Sequence, residues 1–155
     1  MCFLTHVTYN RRPILIEHFD LLWRALENAR EQHQLRMSAW VVLPDHFHML
    51  VEHNDQDISG LMRRIKMSFS LSYRHRIGQN MGRVWQYRFW DHIIRDQDDL
   101  NRYIDYIHYN PVKHSLTDNP FKWRYSSAVE YLNQGYYAPD WGVHGSVKID
   151  GEFGE

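Results

Sequence analysis

The amino-acid sequence predicts an α+β fold, in which an antiparallel sheet carries helices on one or both faces. Strand-like and helix-like segments follow one another in the order β-α-β-β-α-β-α, which is typical of this class. Only Pro44 and Asp45 separate the two central strand-like runs, and so short a link favours an antiparallel hairpin. A chain of 155 residues is long enough to bury one hydrophobic core but not two independent ones.

The first half of the chain contains three predicted strands and one predicted helix. Residues 3–9 are enriched in Thr and Val, as strands are. Residues 17–34 form a predicted helix, because their apolar side chains recur at the spacing of one helix face. Residues 37–43 (MSAWVVL) and 46–52 (HFHMLVE) are the two β-prone runs on either side of the Pro-Asp link.

The second half of the chain contributes further helices and one more strand. Ser59 is the predicted N-cap of a long helix that ends just before Gly78. Pro111 is expected to stop a later helix, because proline cannot donate to the helix hydrogen-bond ladder. The remaining predicted segments are a strand at 89–94, a helix at 98–110 and a short helix at 127–133.

Composition limits the classes of protein to consider. Hydrophobic residues make up 43% and charged residues 24% of the chain, values that are ordinary for a soluble globular protein. The single cysteine, Cys2, excludes an internal disulfide and a cysteine metal site. Neither a signal peptide nor an apolar run of about 20 residues is apparent, so we expect a cytoplasmic protein without a membrane partner.

The charges are unevenly distributed, although the net charge is only −1. Between Ile58 and Trp90 there is no Asp or Glu, and seven Arg and Lys residues leave this stretch strongly basic. From Asp140 to the end the net charge is −3, so we expect a domain at residues 1–140 and an acidic, flexible tail at 141–155. A basic region of this kind can bind a phosphate backbone, and the interleaved Trp85, Tyr87, Phe89 and Trp90 could stack on unpaired bases.

Two histidines form the first candidate site. His46 and His48 are two residues apart on a predicted strand, so their side chains project from the same face while Phe47 points to the other. Paired imidazoles of this kind are good metal ligands. Two histidines on a half-exposed strand, without any metal, would show the same pattern.

Tyr106 and Asn110 form the second candidate site. Their spacing of four places them on one helix face, beside the apolar stripe of that helix. From there a phenol and an amide could reach a cleft while the helix is held by the core. Simple packing of Tyr106 and helix termination at Asn110 would explain the same residues. Tyr109 lies nearly opposite the apolar stripe, and Tyr103 lies close to it and is better explained by packing.

The amino-acid sequences of three segments resemble those of a known family. VVLPDHFHMLVE, GRVWQYRFWDHIIRDQDDLNRYIDYIHYNPVKHSL and FKWRYSS closely resemble the single-tyrosine HUH transposases, in particular their REP-associated branch. The resemblance extends from the first predicted strand to about Trp141. It implies a single-domain, ferredoxin-like (HUH/RRM-like) antiparallel sheet of four to five strands, and a metal-dependent nuclease and strand transferase.

The resemblance also implies a role for individual residues. His46, His48 and Asn110 would bind a divalent metal ion, Mg²⁺ or Mn²⁺, and Tyr106 would be the nucleophile that forms a 5′-phosphotyrosine. The substrate would be single-stranded DNA with a REP-like hairpin, and the protein would act as a monomer or homodimer. Candidate nucleic-acid-binding residues are Arg63, Arg64, Lys66, Arg74, Arg76, Arg83, Arg88, Lys113, Trp85 and Trp123.

Two other functions fit parts of this pattern. A nucleic-acid-binding regulator of the same fold that no longer cuts would keep the basic stretch and the aromatic residues. A zinc hydrolase with a His-x-His site would need a carboxylate base near the metal. Asp45 is expected to face away if the strand is regular, which makes the hydrolase the weaker alternative.

Overall fold

The protein folds around one antiparallel sheet, in the α+β arrangement that the sequence predicts. A computed structural model describes residues 1–52, 57–145, 147, 149 and 153. The strands are β1 (Cys2–Val7), β2 (Met37–Val42), β3 (His46–Val51) and β4 (Trp90–Ile93), in the sheet order β2-β3-β1-β4. The helices are α1 (Phe19–His33), α2 (Ile58–Arg76), α3 (Gln97–Lys113) and α4 (Ala128–Asn133). Short 3-10 turns lie at Tyr9–Arg11, Pro120–Lys122 and Val143–Gly145.

Side-chain alternation along the strands divides the core into two layers. Leu4, Phe47 and Met49 point to the face that α1 and α2 cover. Phe3 and Leu50 point to the other face, against α3. Both faces of β1 and β3 are therefore buried, and every residue of these two strands is shielded from solvent. The sheet thus separates the long basic helix α2 from the helix that carries Tyr106.

Helix α2 begins two residues earlier than expected, because Asp57 rather than Ser59 is its N-cap. The Asp57 carboxylate accepts a hydrogen bond from the backbone N–H of Gly60 at 2.9 Å. A Cβ atom at position 60 would lie 2.1 Å from Asp57 Oδ2, so this cap depends on the glycine. The predicted cap at Ser59 was wrong because the carboxylate lies upstream of the apolar pattern.

Helix α3 does not stop at Pro111, as the sequence suggested, but continues to Lys113. Proline removes only its own N–H from the ladder. The carbonyl of Asn110 still accepts from His114 N at 3.0 Å, and that of Pro111 accepts from Leu116 N at 2.9 Å. The extra turn keeps Lys113 on the same rigid helix as Tyr106.

Parts of the acidic segment at 141–155 pack against the domain. Trp141 stacks on Tyr137 with ring centroids 4.1 Å apart, and Phe153 is buried among residues of β1 and α3. The rest of the predicted tail, residues 146, 148, 150–152, 154 and 155, lies outside the described residues. Among the residues that are described, no helix has the length and apolar character needed to cross a membrane.

His6 is a titratable group within the apolar layer. Its ring is stacked between Phe47 and Phe89, with centroids 4.9 Å and 4.8 Å away, and only 1% of the residue is exposed. Within the described part of the chain, neither ring nitrogen has a hydrogen-bond partner. Burial, and secondarily the charge of Lys66, hold the pKa of His6 well below its usual value.

We expect this neutral histidine to make the fold sensitive to acid. Between the ordinary histidine pKa of about 6.5 and the lower folded-state value, only the unfolded chain takes up the proton. The contribution of His6 to the free energy of unfolding should therefore fall by up to about 1.4 kcal/mol per pH unit as the pH drops below about 6.5.

Urea unfolding of the His6→Phe variant at several pH values measures this effect. Its free energy of unfolding should depend less on pH than that of the unchanged chain. The matched control is His75→Phe, at an exposed position near the end of α2, which should leave the pH dependence unchanged. Equal pH dependence in the His6→Phe variant and the unchanged chain would contradict the prediction.

Candidate active site

The two strand-borne histidines lie side by side beneath α3. His46 and His48 are 1% and 0% exposed, and their ring centroids are 4.9 Å apart. They share the face of the sheet that α3 covers, as the spacing on the strand predicts. The geometry therefore provides two imidazoles whose nitrogen atoms could bind one ion.

Asp45 fixes the orientation of the His46 ring. Asp45 lies just before β3, and its Oδ1 atom accepts from His46 Nδ1 at 2.6 Å while Oδ2 accepts from Arg11 at 3.0 Å. Burial alone would raise the pKa of this carboxyl group, but the hydrogen bonds and charges of His46 and Arg11 outweigh it and hold the pKa at about 2. The expectation that Asp45 faces away from the histidines was wrong, because the residue sits in the turn and not on the regular strand.

A threonine orients His48 in the same way. His48 Nδ1 lies 2.8 Å from Thr5 Oγ1, and the Thr5 hydroxyl donates to the carbonyl of Phe153 at 2.9 Å. Since the hydroxyl proton points to Phe153, the hydroxyl oxygen accepts the Nδ1–H of His48. With Nδ1 hydrogen-bonded in this way, the neutral form of each ring carries its lone pair on Nε2, the nitrogen that a metal ion would bind.

Tyr106 and Asn110 on α3, and His114 directly after it, follow one another at intervals of four residues. The Tyr106 ring lies 5.3 Å from the His48 ring, and the His114 ring, directly after the helix, lies 5.1 Å from the His46 ring. Asn110 is fully buried midway between them on the same side. His114 was not among the predicted site residues, although its spacing from Asn110 repeats the spacing from Tyr106 to Asn110.

Lys113 contacts the phenol oxygen of Tyr106. Its Nζ atom donates to the Tyr106 hydroxyl at 3.2 Å and lies 4.8 Å from the centre of the tyrosine ring. Lys113 was predicted to be one of the residues that bind nucleic acid. In the structure its ammonium group sits on the candidate nucleophile.

Phe153 covers Tyr106. The two rings stack almost in parallel, with centroids 3.6 Å apart and an angle of 9° between their planes. Tyr106 is only 2% exposed as a result of this and other packing. Phe153 therefore covers one face of the Tyr106 ring.

A buried hydrogen-bond chain fixes α3 against the sheet. His108 Nε2 lies 2.8 Å from Ser127 Oγ, which in turn accepts from Trp40 N at 2.9 Å. On its other side, His108 Nδ1 lies 2.9 Å from the hydroxyl of Tyr137, which donates to Asp105 at 3.0 Å. Burial lowers the pKa of His108 to about 3, so the ring acts as a neutral hydrogen-bonding group.

The predicted DNA-binding residues on helix α2 lie away from this site. Helix α2 is on the opposite face of the sheet, where Arg63 and Arg64 are exposed and Arg76 forms an ion pair with Asp20 at 2.5 Å. On the same helix, Lys66 is half-buried over the Phe89 ring and Arg74 is hydrogen-bonded to the Gly82 carbonyl. Arg83 and Arg88 follow the helix and are exposed.

The two predicted tryptophans are covered to different degrees. Trp85 is 7% exposed, and its indole N–H donates to the Lys66 carbonyl at 3.1 Å, so its ring belongs to the core. Trp123 is half-buried and donates to the Val42 carbonyl at 2.9 Å. Aromatic composition could not distinguish rings that pack inside from rings that lie on the surface.

Comparison with known proteins identifies the family. The family described as "Transposase IS200 like" matches residues 3–110, which include both histidines, Tyr106 and Asn110. The chain belongs to this family. The REP-associated tyrosine transposase of Escherichia coli (strain K12) is 32% identical, over 90% of this chain and 82% of its own length. A putative REP-associated tyrosine transposase of Haemophilus influenzae is also 32% identical, over 97% of this chain and 92% of its own length.

Solved structures agree with the IS200-like assignment. A REP-associated tyrosine transposase bound to a REP hairpin superposes with a TM-score of 0.84 at 31% identity, over 99% of this chain and 90% of that one. A putative transposase from Deinococcus radiodurans has a TM-score of 0.51 at 22% identity, over 69% of this chain and 89% of that one, and shows the shared fold alone. The chain is thus a DNA transposase of the metal-dependent HUH type, as the motifs suggested.

We expect the Phe153→Ala variant to expose Tyr106. Removing the stacked ring should increase the rate at which N-acetylimidazole acetylates the Tyr106 hydroxyl, as measured by peptide mass mapping, because the phenol is otherwise shielded. Phe121→Ala is the matched control, since Phe121 packs against Tyr137 and Trp141. Unchanged acetylation of Tyr106 in the Phe153→Ala variant would show that other groups shield it.

Proposed function

We propose that this transposase cuts and rejoins single-stranded DNA through a covalent bond between Tyr106 and a 5′-phosphate. The observation that carries the proposal is the contact between the Tyr106 ring and His48, one of two buried histidines whose rings lie side by side beneath α3. A phenol nucleophile beside a pair of imidazoles that could hold a metal ion is an arrangement that can support covalent phosphate transfer.

The residues at the site fit a divalent metal ion. His46 and His48 would supply imidazole nitrogens, and Asn110 would supply an amide oxygen from the middle of the α3 face. We propose Mg²⁺ or Mn²⁺, and the bound ion would orient the scissile phosphate and stabilise its developing charge.

Tyr106 would perform the bond-forming step. Its oxygen attacks the phosphorus atom and loses its proton to solvent, and the 3′-oxygen of the neighbouring nucleotide leaves and takes up a proton. Lys113 would stabilise negative charge on the phenol oxygen, because its ammonium group lies 3.2 Å away. The phosphotyrosine bond keeps the energy of the broken phosphodiester, so attack by another 3′-hydroxyl rejoins DNA without ATP.

The substrate is proposed from the relatives and from the chemistry. The solved relative with a TM-score of 0.84 is bound to a REP hairpin, and we propose a hairpin of this kind, with an unpaired flank, for the present chain. The catalytic unit would be residues 1–140, acting in the cytoplasm as a monomer or homodimer. Exposed Arg63, Arg64 and Arg88 remain candidates for backbone contacts.

We predict a covalent protein–DNA adduct with the unchanged chain. The protein is incubated with Mn²⁺ and a single-stranded oligonucleotide that contains a REP-type hairpin, and the products are run on a denaturing gel. A slower-migrating adduct should form, and Tyr106→Phe should abolish it because the attacking oxygen is gone.

Tyr103→Phe is the matched control, since Tyr103 lies on the same helix but packs against Phe3 at a centroid distance of 4.6 Å. Adduct formation by the Tyr106→Phe variant would refute the assignment of the nucleophile. Tight hairpin binding without any adduct would favour the non-cleaving regulator. The stacking of Phe153 on Tyr106 is the observation that supports this alternative.

We also predict that Asp45→Asn weakens metal binding. The substitution keeps the size of the side chain but removes the charge that holds the Nδ1 proton of His46. Loss of such an outer contact typically lowers metal affinity about 10- to 100-fold. Titration of Mn²⁺ by electron paramagnetic resonance measures the affinity, and Asp91→Asn, on the exposed side of β4, should leave it unchanged. Equal affinity in both variants would argue against His46 as a ligand.

A further inference from the structure

Three exposed side chains form a stack at the end of the sheet near the histidine pair. The guanidinium carbon of Arg83 lies 3.6 Å from the centre of the Tyr87 ring and 4.8 Å from the centre of the Tyr9 ring. Tyr87 is 82% exposed and Tyr9 is 36% exposed. This tyrosine–arginine stack therefore presents flat, positively charged surface to solvent.

Backbone hydrogen bonds connect the stack to the active site. Tyr9 N donates to Val84 O at 2.8 Å, and the preceding Thr8 N donates to Asp45 O at 2.8 Å. Asp45 in turn holds the ring of His46. The turn that carries Tyr9 and the segment that carries Arg83 and Tyr87 thus flank the residue that orients the candidate metal ligand.

The turn has an unusual backbone that adds a further cation. Asn10 and Arg11 both adopt left-handed conformations, with φ of 56° and 50°, which residues with a Cβ rarely do. In this conformation Arg11 binds Asp45 at 3.0 Å. The neighbouring Arg12 donates to the Arg83 carbonyl at 2.6 Å, which ties the turn to the opposite segment.

We infer that the tyrosine–arginine stack binds an unpaired nucleotide adjoining the scissile phosphate, with the base stacked on the exposed face of Tyr87. This inference rests on the proposed function, because it takes the site beside Asp45 to be the place of cleavage. Arg83 and the nearby Arg88 supply positive charge for the phosphates, in a stretch from Ile58 to Trp90 that contains no acidic residue.

The chemistry of the stack favours single-stranded nucleic acid as the occupant. Aromatic rings bind unpaired bases through their faces, and a guanidinium group beneath the ring adds a cation for the phosphate. Bases in a duplex have their faces covered by their neighbours, so the ring could stack only on an unpaired residue. The stack would thereby hold the flank of a hairpin in position over His46 and His48.

The test compares two DNA strands that differ only in their bases. Both carry the same REP-type hairpin and the same number of phosphates, but one has an unpaired flank with bases and the other has an abasic flank. Binding is measured by fluorescence anisotropy at fixed salt. Tyr87→Ala should weaken binding of the base-bearing strand roughly fivefold or more and leave the abasic strand unaffected.

Two further variants make the result specific. Tyr87→Phe keeps the ring and should bind both strands as the unchanged chain does. Tyr136→Ala removes a tyrosine that is 70% exposed and that packs against Tyr131 and not in the stack, and it should change neither affinity. Thermal unfolding of each variant checks that the fold is intact, which we expect because Tyr87 is largely exposed.

The outcomes separate this inference from the proposed function. If Tyr87→Ala binds the base-bearing strand as tightly as the unchanged chain, or loses affinity equally for both strands, the stack does not bind a base, whether or not the covalent adduct forms. If the base-dependent loss occurs but the unchanged chain forms no adduct, the nucleotide site stands and the cleavage proposal fails.

Discussion

The hydrogen bonds at the Nδ1 atoms of His46 and His48 determine what this site can do. An imidazole binds a metal ion only through a nitrogen that carries no proton, and the partner of the other nitrogen decides which one that is. Asp45 and Thr5 hydrogen-bond to the two Nδ1 atoms, so Nε2 of each ring is the nitrogen that would bind a metal ion. Thr5 on β1 is paired with His48 on β3, so the hydrogen bond that orients the His48 ring depends on the register of these two strands.

The site also requires that α3 keeps its position above the strands, because this helix carries Tyr106. The polar chain through His108 and Ser127 links the helix to the backbone of Trp40 on β2. A buried polar chain of this kind is costly unless every group in it is paired, so it favours one position of the helix over others. The position of Tyr106 relative to His48 is therefore set by contacts on the far side of the helix.

The strands and helices could be predicted because their apolar periodicity matches the final burial. The exceptions were local: an aspartate cap upstream of the pattern at α2, and a proline inside the last turn of α3. At the site, spacing alone indicated that His46 and His48 share a face and that Tyr106 and Asn110 share another. Which side chains touch could not be read from spacing, so the contacts of Phe153 with Tyr106 and of Asp45 with His46 came only from the structure.

The position of the basic stretch in the fold also could not be predicted from the sequence. A run without acidic residues indicates a nucleic-acid surface, but it does not say which face of the sheet it will cover. Helix α2 covers the face opposite the histidines, and its Arg76 is engaged with Asp20 of α1. The segment after α2, with Arg83 and Tyr87, lies at the end of the sheet near Asp45.

The single helix that carries Tyr106, Asn110 and Lys113 has a consequence for how such enzymes can diverge. Each residue in an α-helix advances the next by about 100° around the axis. An insertion or deletion of one codon between Tyr106 and Asn110 would swing the amide to another side of the helix, even though every amino acid was retained. Insertions and deletions should therefore be tolerated in the connections between helices and strands and be selected against between Tyr106 and Asn110.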